Sequence, residues 1–262
     1  MNVDLHSFNF GGEDSDAEGN TCLSWRLDPE KSLSDYKITI ITTTPTATLD
    51  EQEVVVVDHE SEGKGQPSGD NAPLKIQKVY YVHKHVLAVG PRRSQYFARL
   101  FRSGIEVAEH TSDTSSIELE PSAAKLFPKM LDFMYSWHNE KFVVTPKDAV
   151  VMRYLASYFG VKALYTDVGD FIRQDLTQRP TNAPFYVADA ILYQDEKVLE
   201  VAKSLCAQEF NKIKPEVMAE LPLQFFRDML SSPNLIREEN SDILSRHVAA
   251  ICRNHAGEID HS

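Results

Sequence analysis

The segment 79–104 constrains the fold more than any other part of the chain. It begins with the β-branched and aromatic run at 79–82, whose composition is typical of a β-strand. Val86 and Leu87 then predict a short helix, which Gly90 and Pro91 end in a turn. One face of a second helix is formed by Tyr96, Phe97, Leu100 and Phe101. The segment therefore predicts a strand, a short helix, a break and an apolar-faced helix, without a nucleophile beside a base.

The order of residues in this segment resembles the central signature of the BTB/POZ domain family. The residues that carry the resemblance are His83, Lys84, Leu87, Ser94, Phe97 and Phe101. The resemblance implies an α+β fold, in which a small mixed β-sheet is flanked by α-helices. It also implies a protein–protein interaction module.

The N-terminal part of the chain, residues 1–33, is predicted to be an acidic, flexible tail. Glu13, Asp14 and Asp16 lie among glycines with little apolar surface to bury. Burial would therefore not offset the conformational entropy that this segment loses when it becomes ordered. A partner-binding motif is the alternative for this segment. Trp25 and Leu27 are the residues of this segment that are candidates for docking on the folded part of the chain.

The BTB/POZ resemblance extends over residues 34–178, with an insertion predicted at 43–77. Alternation at 36–41 predicts the first strand, and the Ser-Asp pair before it opens the first strand in the family too. Within the insertion, 53–58 reads as another strand and 60–71 as a flexible loop. The insertion is interpreted as tolerated extra chain, with a recognition element as the alternative.

The rest of the chain has the apolar spacing of helices. Residues 116–120 predict a strand, Ser122 is a candidate helix N-cap, and Thr145-Pro146 is a helix start signal followed by a stop at Gly160. Residues 179–255 are similar to the all-α BACK domain, because a Leu-Pro motif at 221–222 precedes an amphipathic helix. Residues 256–262 are expected to be a tail.

The family resemblance suggests a cullin-binding surface. Adaptors of this family that recruit a cullin carry an apolar-x-Glu motif after the central helix. Val107 and Glu109 satisfy it, although an alignment counted from Phe101 puts Ile105 at the apolar position. The candidate partner-binding residues are Phe101, Ile105, Val107, Glu109 and Tyr135. In such a contact an apolar side chain enters a groove of the cullin, and a carboxylate makes hydrogen bonds at the rim of that groove.

Homodimerisation is a second expectation from the resemblance. Family dimers bury a charged pocket, and Asp35 and Lys84 occupy its positions. A local ion pair is the alternative for these two residues. Dimeric members also carry a long apolar helix before the aspartate, whereas residues 23–34 here are short, polar and interrupted by Pro29.

Composition excludes several other classes of function. The net charge of −12 argues against nucleic-acid and anionic-membrane partners, which select clustered Lys and Arg. No segment is apolar for long enough to span a membrane, and no secretory signal is seen. The three cysteines are far apart, which favours an intracellular location, cytoplasmic or nuclear. His83 and His85 lack further ligands at metal-site spacing, so no metal, cofactor or enzymatic activity is predicted.

These observations lead to one functional hypothesis and one alternative. The first is a non-enzymatic substrate adaptor for a cullin-3 ubiquitin ligase, with an unidentified client protein. The alternative is a self-associating BTB scaffold in a transcriptional or signalling complex, without a ligase role.

Overall fold

The computed structural model describes residues 23–44, 74–102, 113–136, 142–231, 235 and 241–256. The chain forms two compact units. Unit 1 contains Met1–Phe142 and Leu155–Ala163, and unit 2 contains Val143–Tyr154 and Leu164–Ser262. In chain order the elements are α1 (Pro29–Ser32), β1 (Tyr36–Thr44), β2 (Leu74–Val82), α2 (Lys84–Ala88), α3 (Gln95–Arg102), β3 (Thr114–Glu118), α4 (Pro121–Tyr135), α5 (Pro146–Tyr158), α6 (Lys162–Gln178), a 3-10 turn (Pro180–Asn182), α7 (Pro184–Leu192), α8 (Glu196–Gln208), α9 (Pro215–Ala219), α10 (Leu223–Leu230) and α11 (Ser241–Asn254).

The sheet of unit 1 is small and mixed, which confirms the predicted fold class. Its described strands have the order β2-β1-β3, with β1 antiparallel to β2 and parallel to β3. Alternate residues of β1, Ile38 and Ile40, are buried against the helices. β3 ends two positions earlier than predicted because Leu119 leaves the ladder before Pro121 starts α4, although its N–H still donates to the carbonyl oxygen of Ile41 at 3.0 Å.

The hairpin of β1 and β2 is longer than the sequence predicted. Thr43 pairs with Lys75 and Thr44 with Leu74, so both ends of the predicted 43–77 insertion are strand. Residues 38–44 are all β-branched, which favours an extended strand up to the end of β1. The strand predicted at 53–58 and the loop at 60–71 lie outside the described residues.

The central segment folds as a strand, a short helix, a break and a second helix, as predicted. Gly90 takes a φ of 92°, which a side chain would disfavour, and so the chain turns there between α2 and α3. Ser94 caps α3, because its Oγ accepts the backbone N–H of Phe97 at 3.1 Å. The same Oγ donates to the carbonyl oxygen of Phe159 at 2.6 Å. One buried hydroxyl thus joins the start of α3 to the end of α5.

The core of unit 1 is built from aromatic rings around Phe97. Phe97 is fully buried and stacks on Phe159 with ring centroids 5.6 Å apart. Phe127 of α4 lies 5.4 Å from Phe159 and 5.2 Å from Tyr80 of β2. Such contacts add to the free energy of burial of the rings. They connect the sheet to α3, α4 and the end of α5.

Two local expectations are corrected in α4 and in the N-terminal segment. The N-cap of α4 is Glu120 rather than Ser122, because Pro121 takes the first helical position. Residues 23–33, assigned to a flexible tail from sequence, include α1 and dock through Trp25. The indole Nε1 of Trp25 donates to Oδ1 of Asp132 at 3.1 Å, and its ring meets Tyr80 edge-on at 5.8 Å. Leu27 is 43% exposed, so only one of the two predicted anchors is used.

The described secondary-structure elements of unit 2 are all helices. The short α9 was not predicted, whereas the other helices follow the apolar spacing of the sequence. Asp175, 2% exposed near the end of α6, accepts hydrogen bonds from the Tyr186 hydroxyl at 2.7 Å and from Asn182 at 3.0 and 3.2 Å. Arg179 completes the network at 2.8 Å. A buried carboxylate needs such partners, and here they join α6 to α7.

Candidate functional site

The predicted dimer-pocket residues, Asp35 and Lys84, do lie together, but not as a side-chain ion pair. Oδ1 of Asp35 accepts the backbone N–H of Lys84 at 2.7 Å. The Lys84 ammonium instead pairs with Asp113, a residue with a φ of 50° just before β3. Both charges therefore have partners within one chain, but the ion pair between Asp35 and Lys84 that was the alternative interpretation does not form.

Phe101, a predicted partner-binding residue, lies half-buried near the end of α3. Its ring meets Tyr36 edge-on at 4.8 Å and stacks on Phe97 at 5.9 Å. The Lys84 ammonium lies 5.5 Å from the ring of Tyr36 and 5.8 Å from that of Phe101, within the range of cation–π attraction. Phe101 is thus the outer edge of the aromatic core, and only part of it can contact a partner.

Tyr135, another predicted partner-binding residue, holds His83 in place. The Tyr135 hydroxyl lies 2.8 Å from the backbone nitrogen of His83 and 2.9 Å from its Nδ1. Nε2 of His83 lies 2.5 Å from the carbonyl oxygen of Ser32, which can only accept, so Nε2 carries the proton. Nδ1 then accepts from Tyr135, whose oxygen accepts the N–H. Burial, with a smaller contribution from Asp35, raises the pKa of Tyr135 and keeps the donor protonated.

This geometry agrees with the interpretation of His83 as a structural residue. The side chain is 5% exposed, and both its ring nitrogens have partners. His85, two residues further along the chain, is exposed. Within the described ranges, no group of three or more His, Cys, Asp or Glu side chains is arranged to hold a metal ion.

The remaining predicted contacts, Ile105, Val107 and Glu109, lie outside the described residues. They follow α3, which ends at Arg102. Their assignment to a cullin-binding motif stays a prediction.

Arg92 is a residue whose role the sequence did not reveal. Arg92 and Arg93 form a charged doublet in the sequence, but Arg92 is only 8% exposed. Its guanidinium lies 4.4 Å above the Phe133 ring, and Nη1 donates to the carbonyl oxygen of Phe133 and to Oγ of Ser136. Arg92 therefore fixes the end of α4 to the turn before α3, and a doublet of charges gives no signal for this.

Unit 2 carries a groove of about 970 Å³ that the sequence also did not predict. Its apolar floor comes from α6 and α8 and includes Ile172, Leu176, Val198, Val201 and Leu205. Val201 in this floor is 49% exposed, so its side chain is accessible to a partner. Arg153 lies at one edge, where it pairs with Asp195 and donates to the Tyr165 hydroxyl at 2.6 Å. An apolar floor with a charged edge suits a peptide or helix of a partner.

The comparison with protein families agrees with this geometry. The family model of the BTB/POZ domain matches residues 71–176, from β2 to α6. This match indicates a BTB/POZ domain in that part of the chain, and domains of this family are protein–protein interaction modules. No curated protein matches the sequence of the chain. None of the described helices combines the length and the apolar character that crossing a membrane requires.

Proposed function

We propose that this protein is a substrate adaptor for a cullin-3 RING ubiquitin ligase. The observation that carries the proposal is the BTB/POZ match at 71–176, together with the described frame of β2, α2 and α3. That frame ends directly before the apolar-x-acid motif at 105–109. The protein is non-enzymatic in this proposal and acts inside the cell, in the cytoplasm or the nucleus.

The first contact with the cullin uses the end of α3 and the residues after it. Phe101 offers the exposed part of its ring, and Ile105 or Val107 supplies the apolar side chain that enters a groove of the cullin. Glu109 makes charge-assisted hydrogen bonds at the rim. Support comes from the half-exposed Phe101, which Tyr36 and Phe97 hold in one orientation.

The second contact uses the groove of unit 2. An apolar segment of the cullin inserts between α6 and α8, where Val201 and Leu205 meet it. In the proposed domain order, the BTB/POZ domain spans 34–178 and a BACK-like region spans 179–255. The helical pattern of unit 2 supports a BACK-like region, and no client-binding domain is assigned.

The proposal is tested by measuring binding of the purified chain to the N-terminal domain of cullin-3 by calorimetry. The variant Ile105→Ala with Val107→Ala removes both candidate apolar contacts, and Val201→Glu places a charge in the groove. Each is expected to weaken binding at least tenfold, about 1.4 kcal/mol. Val143→Ala, at a position 68% exposed and outside both surfaces, is the matched control. Absence of binding by the unaltered chain rejects the adaptor role.

The same material tests the alternative of a self-associating scaffold. Light scattering on the unaltered chain reports its oligomeric state. A stable dimer that does not bind cullin-3 would favour the scaffold. The internal partners of Asp35 and Lys84, and an α1 of only four residues, give no described support for a family-type dimer interface.

A further inference from the structure

The outer side of α3 carries a concentration of positive charge in an acidic protein. Arg93, Arg99 and Arg102 are all exposed and together line a depression of about 470 Å³ with Gln95 and Ala98. We call these three arginines the arginine surface. The chain as a whole has 39 acidic and 27 basic residues. A cluster of positive charge on a protein with a negative net charge therefore requires a physical explanation.

The described part of unit 1 gives the arginine surface no counter-charge. Arg26 pairs with Asp132 and Lys84 with Asp113, but no described carboxylate lies within ion-pair distance of Arg93, Arg99 or Arg102. Arg99 and Arg102 are three positions apart, so they are neighbours on the helix and repel each other. The C-terminal end of the α3 dipole offsets part of that repulsion. An anionic ligand would offset the rest.

The layout of the arginine surface indicates which anion fits. Arg93 precedes α3 and Arg102 ends it, so the surface follows the whole helix, roughly 12 Å for eight residues at 1.5 Å each. A single phosphate is too small to span that distance. An extended peptide covers it in about four residues at roughly 3.3 Å each. Guanidinium groups pair with carboxylates through two parallel hydrogen bonds, so Asp and Glu side chains along such a peptide are suitable partners.

A second hollow continues the arginine surface on one side. It measures about 400 Å³, shares Gln95 and Arg99 with the first, and is lined by Tyr96, Leu100 and Tyr158. The rings of Tyr96 and Tyr158 are stacked with centroids 6.2 Å apart, and Tyr158 is 45% exposed. An aromatic or aliphatic side chain of the same peptide can lie against these rings.

We propose that the arginine surface and the adjoining tyrosines form a docking site for an acidic peptide segment of a partner protein that also carries an apolar residue. This partner is additional to the cullin, and the site does not depend on the proposed ligase function. Its binding is electrostatic at an exposed surface, so it weakens as the salt concentration rises.

The test uses the full chain and a fluorescein-labelled synthetic peptide in which Asp and Glu alternate with Leu and Phe. Fluorescence anisotropy measures its affinity, and a second peptide with Asn and Gln in place of the acids is the comparison. The double variant Arg99→Gln with Arg102→Gln is expected to weaken binding of the acidic peptide at least tenfold. The control, Arg227→Gln with Arg246→Gln, makes the same change of net charge at exposed positions of unit 2 and is expected to leave binding within twofold.

Two further arms make the result decisive. Arg99→Lys with Arg102→Lys keeps the charge and the helix but loses the planar guanidinium groups. We expect it to lose less affinity for the acidic peptide than the glutamine variant does. Ile105→Ala with Val107→Ala is expected to keep peptide binding whether or not it binds cullin-3. Equal binding of the acidic and amide peptides, binding only of a phosphoserine peptide, an unchanged affinity in the glutamine variant, or no binding of the acidic peptide overturns the proposal.

Discussion

Gly160 lies so close to Gln95 that a β-carbon added to the glycine would be 2.8 Å from Cβ of Gln95. The carbonyl oxygen of Gly160 also accepts the backbone N–H of Gln95 at 3.2 Å. A turn at the end of α5 is thus pressed against the start of α3. Gly160 has a φ of 63°, so its conformation and its contact both favour a residue without a side chain.

Replacing Gly160 with alanine is expected to destabilise unit 1 by about 2 kcal/mol, from the left-handed backbone and from displacement of Gln95. Gly169→Ala in α6 is the control, because apart from its chain neighbours and the nearby backbone of its own helix no atom lies within 4 Å of its added β-carbon. There alanine is expected to stabilise by roughly 0.5–1 kcal/mol. Urea unfolding of both variants, followed by circular dichroism, checks the opposite signs. Equal effects at the two glycines would contradict this explanation.

The Tyr135 hydroxyl is expected to contribute about 1–3 kcal/mol to the stability of unit 1, because His83 loses a donor and an acceptor when the hydroxyl is removed. Tyr135→Phe keeps the ring and tests the hydroxyl alone. Tyr81→Phe, at a position 40% exposed, is the control and is expected to change stability by less than about 0.5 kcal/mol. Both tryptophans of the chain belong to Met1–Phe142, so urea unfolding followed by tryptophan fluorescence measures unit 1. If Tyr135→Phe does not change the free energy of unfolding, the role assigned to the Tyr135 hydroxyl as the partner of His83 is wrong.

Tyr186 is expected to make unit 2 sensitive to alkali. Burial, and then the hydrogen bond to Asp175, raise the pKa of Tyr186 above its usual 10.0, so the folded state keeps a proton that the unfolded state releases. The free energy of unfolding therefore falls above pH 10, by up to about 1.4 kcal/mol per pH unit for this residue. Tyr186→Phe should lose about 1–3 kcal/mol at pH 7 and show a smaller decrease above pH 10. Circular dichroism measures both, and an unchanged alkaline slope would count against this assignment.

His247 is expected to make unit 2 sensitive to acid. Its side chain is fully buried, its ring lies 4.3 Å from Phe210, and neither ring nitrogen makes a hydrogen bond of normal geometry within the described residues. Burial lowers the pKa of His247, while the Phe210 backbone and the Glu216 charge act in the opposite direction. A lowered pKa means that the unfolded state binds the proton first, so stability is lost as pH falls below 6.5.

The corresponding variant is His247→Leu, which removes the titrating group and keeps an apolar side chain of similar size. The unaltered chain should lose up to about 1.4 kcal/mol per pH unit below pH 6.5 from this residue, until the folded-state pKa is reached. In His247→Leu that part of the acid slope should disappear. Urea unfolding between pH 7 and pH 5 measures the slope, and His255, whose Nε2 lies 3.1 Å from the carbonyl oxygens of Ala219 and Leu221, provides the comparison through His255→Gln.

The central fold could be predicted because local chemistry and tertiary structure agree along residues 79–104. The run at 79–82 suits a strand on its own, Gly90 suits the turn on its own, and Ser94 is a strong helix cap. The predicted strand at 116–120 was displaced by two residues because alternation alone does not show where the ladder ends. The boundaries depend on the pairing with β1, in which Thr114 lies opposite Lys37 and Glu118 opposite Ile41.

The interaction surfaces were less predictable because they depend on atoms rather than residue types. Asp35 and Lys84 lie close together, but the Asp35 carboxylate binds the backbone N–H of Lys84, a contact that no sequence pattern displays. Arg92 is buried because the end of α4 supplies it with a carbonyl oxygen and a hydroxyl across a long sequence separation. The groove of unit 2 likewise depends on how far α6 and α8 are apart, and apolar periodicity does not specify that distance.

The pairing of Thr44 with Leu74 has a consequence for how this sequence can vary. Because the two strand ends meet there, a tight hairpin of a few residues would connect them as well as the present 45–73 does. The entropy cost of closing a loop grows only logarithmically with its length. Replacing residues 45–73 with a tight hairpin therefore changes the free energy of unfolding by roughly 2 kcal/mol at most. Evolution can therefore lengthen, shorten or rewrite this connection at little thermodynamic expense, while the paired ends hold the sheet in register.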